Sequence, residues 1–135
     1  MLPSRLPKVV GDDEDLARFL TQSNHFNTKG VKHQAFLPAP KARETSVYRH
    51  GAEPSAALWK IGDECVAGSR TIHGAAIVKA SAVRTAELDV VSDEPPPLHA
   101  AIRGWPRHKN DLALQKSEQK ELAMRVASKA ALWRR

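Results

Sequence analysis

The sequence predicts an α+β fold: a small, mainly antiparallel sheet with a short N-terminal helix and a long C-terminal helix. Three observations carry this expectation. A β-type stretch holding Ile72, Ile77, Val78 and Val83 is followed closely by Leu88-Asp89-Val90-Val91, and the short linker makes an antiparallel pair the economical connection. Residues 111–133 contain neither glycine nor proline and are rich in strong helix formers. Leu16, Phe19 and Leu20 fall at i, i+3 and i+4 behind Asp12, Asp13, Glu14 and Asp15, where acids favour a helix N-terminus.

Taken in chain order, the first element is therefore a short helix over 13–21. Ser23-Asn24-His25 and Asn27-Thr28-Lys29-Gly30 are turn-forming, so the chain reverses before Val31. Ala35-Phe36-Leu37 and Ser46-Val47-Tyr48-Arg49 read as two strands around a loop stiffened by Pro38 and Pro40. Pro54 stands at a helix-start position ahead of Ala57, Leu58 and Ile61, with Gly62 as a stop. The main strand covers 71–83 and its partner 88–91. Pro95, Pro96 and Pro97 favour an extended, rigid spacer, and a last strand over 99–104 ends at Gly104-Trp105-Pro106. The C-terminal helix begins after Asn110 and places Leu122, Val126, Ala130 and Trp133 on one stripe, flanked by Ala123, Ala127 and Leu114.

A chain of 135 residues fits one domain over 1–135, with a flexible N-terminus at 1–10, a sheet region at 31–104 and a basic C-terminal helix at 110–134. The sequence has 20 alanines against 29 Leu, Ile, Val and Phe together. Alanine buries little area, so the core is expected to be thin and to lean on a partner or a second copy. No apolar run approaches the roughly 18–20 residues of a membrane span, and Arg5 and Lys8 interrupt the N-terminal hydrophobes. Cys65 is the only cysteine, which precludes an internal disulfide and suits a reducing cytoplasm. The abundance of Ala and Arg fits a GC-rich bacterial or phage genome.

Net charge is +6, distributed as +3 over residues 1–60, −3 over 61–102 and +6 over 103–135. The basic excess thus sits at the C-terminal end, a statement about partners and steering rather than fold. Its plainest reading is a solvated helix face. The six histidines show no i,i+4 pair, no His-Glu-x-x-His and no Cys-x-x-Cys, so neither a metal nor a cofactor is expected. Glycine-rich nucleotide loops and Gly-x-Ser-x-Gly are missing as well. Cys65, beside Asp63 and Glu64, reads as buried filler because acids oppose thiolate formation.

Two constellations remain. His50 and Arg49 lie on one predicted strand, His99 and Arg103 on another; were they to converge, His99 would serve as general acid or base beside a phosphate-holding pair of arginines, as in a small metal-independent nuclease or toxin-like enzyme. The ordinary alternative is that all four are hydrogen-bonded sheet residues. The second set is for binding: Lys116, Lys120, Arg125 and Lys129 on the C-terminal helix, with Trp105 and Trp133 as aromatic anchors. The expected function is a cytoplasmic, non-enzymatic interaction or accessory subunit that binds a protein partner or its own copy. Nucleic acid bound by the basic helix is the alternative, and no membrane is involved.

Overall fold

The computed structural model describes residues 6–50 and 55–135. Its framework is a six-stranded sheet in the order β6-β7-β4-β1-β5-β8, formed by β1 (Asp15–Leu20), β4 (Thr45–Arg49), β5 (Gly74–Lys79), β6 (Asp89–Ser92), β7 (His99–Arg103) and β8 (Ala131–Arg134). Every neighbouring pair is antiparallel. A small hairpin joins β2 (Phe26–Asn27) to β3 (Gly30–Val31), at the turn expected there. Among the described residues three α-helices complete the fold, α1 (Ser55–Gly62), α2 (Ala80–Thr85) and α3 (Leu112–Ser128), and a π-helical segment at Asp63–Ala67 follows α1. The α+β class, the mainly antiparallel sheet and the long C-terminal helix are as the sequence predicts.

Side chains alternate across the sheet and build two cores. On one face Leu16, Leu20, Val47, Val78, Val90 and Ile102 meet Val83 of α2 and Ala123, Val126 and Ala127 of α3. On the other, Ala17, Phe19, Tyr48, Ala75 and Ile77 lie against Leu58 of α1 and Ala67 and Ile72 of the following segment. Alanines form contacts throughout: Ala75, Ala76, Ala100, Ala101 and Ala123 are wholly buried, which lets helices approach the sheet closely.

Several expected elements differ. Residues 13–21 hold a central strand, not a helix: Leu16 and Leu20 serve one core while Ala17 and Phe19 serve the other. A strand buried on both faces loses its alternation and imitates helical spacing. The acids before it form ion pairs, Asp12 with Arg84, Glu14 with Arg49 and Asp15 with Lys79, and among the described residues their side chains cap no helix. Ala35-Phe36-Leu37 is no strand; a single 3-10 turn covers His33–Ala35. The strand expected over 71–83 stops at Lys79, where α2 begins. The proposed pairing with 88–91 is also absent, because β6 pairs with β7 and lies at the far end of the sheet from β5.

Residues 93–98 close into a tight turn instead of an extended spacer, with the His99 amide donating to the Pro96 carbonyl and the Asp93 amide to the His99 carbonyl. Of the N-terminal segment expected to be flexible, residues 1–5 lie outside the described residues, while Pro7 accepts a bond from Arg49 and Val10 is buried.

The C-terminal helix ends at Ser128, so Trp133 is not on it. Residues 131–134 instead pair with β5 from Gly74↔Arg134 to Ile77↔Ala131, satisfying backbone groups that an open edge would leave to water. Helix propensity in Ala-Ala-Leu yields to that ladder. Gly74 makes the approach feasible, since a Cβ there would run into the Trp133 carbonyl oxygen.

Candidate binding surfaces

The four residues of the expected catalytic cluster are dispersed. Register places His99 opposite Tyr48, while the next residue, Arg49, lies opposite Leu16 and so projects from the other face. Arg49 is buried and bidentate to Glu14, its Nε and Nη2 donating at 2.7 and 2.8 Å. Burial raises the Glu14 pKa, yet bonds from Arg49 and from the Gly11 amide outweigh it and leave the carboxyl below its usual value. Arg103 donates to Glu44 at 2.8 Å. The His99 ring lies 2.8 Å from the Asp93 carbonyl through Nδ1 and packs edge-on against Tyr48. His50 is buried, its Nδ1 has no partner among the described residues, and the ring stands edge-on to Trp133 at 5.2 Å. A cleft made of His99, His50, Arg49 and Arg103 is not formed.

The expected binding residues also divide. Trp105 is 6% exposed and donates its indole N–H to the Ile102 carbonyl, so it is a core residue and presents no stacking face. Trp133, 37% exposed on the edge strand β8, is more accessible. Arg125 donates to Glu121 at 2.6 Å, an i,i+4 pair of the kind worth a few tenths of a kcal/mol. Lys116 and Lys120 are exposed and pair with no carboxylate among the described residues. Lys129 is exposed and lines a groove between α2 and α3.

What positions these lysines is a helix that outruns its support. Asp111 caps α3, accepting from the Leu114 amide at 2.9 Å. The second half of α3 buries Ala123, Val126 and Ala127. The first half is instead tied by polar contacts to the loop at 104–111: Gln119 donates to the Pro106 carbonyl, the His108 amide donates to Gln115, and the His108 ring bonds Glu118. Leu112 and Leu114 are left 63% and 43% exposed, and Met124 is 52% exposed.

A second surface went unread in the sequence. Beyond Ala17 the β1–β4 ladder has no further pairs, and where the strands part a cavity of about 240 Å³ opens, lined by Arg18, Arg70, Tyr48, Ser46, Thr21 and Cys65 among others. Burial pushes the Tyr48 hydroxyl up to about 12, with Cys65 nearby adding to the effect. The Cys65 thiol is raised by burial and by the charge of Glu64.

The geometry thus defines an α+β domain with two accessible features, an overhanging basic helix and a cationic cleft. Comparison with known proteins yields no match to a family model, a curated protein or a solved structure. Among the described residues, no helix is long and apolar enough to cross a membrane.

Proposed function

We propose that this chain acts by binding a protein partner, engaging an acidic surface with the first half of α3. The observation that carries this reading is the exposure of Leu112 and Leu114 beside Lys116 and Lys120, cations with no acid to pair with among the described residues. Apolar side chains at the start of a rod, ringed by unneutralised lysines, suit an acidic partner with an apolar depression. A second copy is a poorer occupant, because a symmetric contact through this half would set lysines against lysines. The basic excess of +6 in residues 103–135 favours the same polarity.

Capture with the full chain, followed by calorimetry with the captured protein after its own purification, tests this. Leu112→Asp with Leu114→Asp is expected to weaken binding by roughly thirtyfold or more, the scale of a central apolar anchor. Lys116→Glu with Lys120→Glu weakens it too and abolishes its dependence on salt. Captured material that nuclease removes, self-association broken by the same substitutions, or binding indifferent to them would each overturn the proposal.

A further inference from the structure

We propose that the cleft between β1 and β4 binds the dianionic head of a phosphate monoester, with Arg18 and Arg70 as its two guanidinium donors. Arg18 leaves the middle of a strand in which Leu16, Ala17, Phe19 and Leu20 are all buried. It is held in place by carbonyls alone: Nε donates to Ala35 at 2.8 Å and Nη1 to Ser46 at 3.0 Å. Arg70 is positioned by its own chain, Nη2 donating to the Val66 carbonyl at 2.7 Å. Neither meets a carboxylate among the described residues, although Arg49, Arg84, Arg103, Arg125 and Arg135 all do. Each fork therefore keeps N–H donors free.

The hydroxyls point the same way. Tyr48, Ser46 and Thr21 line the cleft, and their hydroxyls make no hydrogen bond to another described residue. Tyr48 is only 5% exposed as a residue, yet its hydroxyl is not a buried atom, so it is open to a ligand in the cleft. Two cations and three free hydroxyls around about 240 Å³ suit a tetrahedral group of two charges better than a planar carboxylate of one. Burial and the nearby charge of Arg70 both bear on Arg18, lowering its pKa, and a bound dianion relieves that repulsion. Cys65, kept as a thiol, is suited to lining the cleft and not to attacking phosphorus.

The test is titration of the full chain with inorganic phosphate at fixed ionic strength, followed by calorimetry and by melting temperature. Saturable binding in the millimolar range or tighter is expected, with acetate and dimethyl phosphate binding at least several-fold more weakly. Arg70→Gln, at an exposed position, lowers the affinity by roughly tenfold or more, as loss of a charge-assisted pair does. Arg18→Lys and Tyr48→Phe weaken it further, while Arg107→Gln leaves it unchanged. Absence of saturable binding, equal binding of acetate or dimethyl phosphate, or affinity undiminished in Arg70→Gln would overturn the proposal. It does not depend on the protein-binding reading, because Leu112→Asp with Leu114→Asp leaves phosphate binding intact.

Discussion

Strands β1 and β4 carry an arginine at each end of their shared ladder, and the two are treated in opposite ways. At the paired end Arg49 is 1% exposed and meets Glu14 bidentately, with the Pro7 carbonyl taking a third bond. Where the strands part, Arg18 meets only the carbonyls of Ala35 and Ser46 and faces a second cation, Arg70. The first site is complete within the chain. The second carries two uncompensated positive charges, and what distinguishes them is the presence of one carboxylate. A buried or half-buried cation is costly unless paired, so an unpaired one persists where water or a ligand reaches it.

The largest expected effect follows from the closed end. Arg49→Ala strands Glu14 and frees the Pro7 carbonyl, and should cost about 3–5 kcal/mol, as breaking buried pairs does. Arg18→Ala removes two bonds to carbonyls that water in the cleft can replace, for about 1 kcal/mol. Urea unfolding of both variants measures the difference. Equal losses would erase the distinction between a structural and an open arginine.

Acid sharpens the same contrast. Glu14 has a folded-state pKa below its ordinary value, so its contribution is fully present above that ordinary value, 4.5, and is lost as pH falls through the lower folded value. Stability should therefore decline below the ordinary value in the native chain. In Glu14→Gln the decline should flatten, leaving what other depressed acids such as Asp63, paired to Arg135, contribute. The Arg18 end, having no acid partner among the described residues, adds no such limb. Denaturant midpoints measured across the acid range decide this.

These two sites also mark what was legible in the sequence. The class, the β4 and β7 strands, the turn after Ser23 and a long helix from Leu112 could be read, because each has local chemistry that agrees with its place in the fold. β1 could not, since a strand covered on both faces carries the spacing of a helix, and with it went the meaning of Arg18: on a helix it is a solvated residue, on a central strand it is a charge among buried neighbours. Arg49 stands out for its chemistry, but its partner Glu14 reads as part of a helix start. Arg70 lies after a glycine turn, at Gly68, and nothing local ties it to a residue more than fifty positions earlier. Trp133 reads as helical because the open edge of β5, which draws 131–134 into the sheet, is a tertiary fact.

The smallest effect is the most discriminating, because it concerns a sign. In a double-mutant cycle, the Arg49–Glu14 pair should show attractive coupling: removing both side chains costs less than the two separate losses, since neither charge is then left buried alone. The Arg18–Arg70 pair should show the reverse. Arg70 is exposed, so solvent screens the repulsion and only a few tenths of a kcal/mol are expected. Arg70→Gln on the native background should be neutral or slightly stabilising, and the same change in Arg18→Gln should lose that gain. Added phosphate inverts the result, because a dianion between the forks turns two mutually repelling groups into two donors to one acceptor, and Arg70→Gln then becomes destabilising relative to the native chain. A coupling of unchanged sign with phosphate present would mean that the ion does not sit between them.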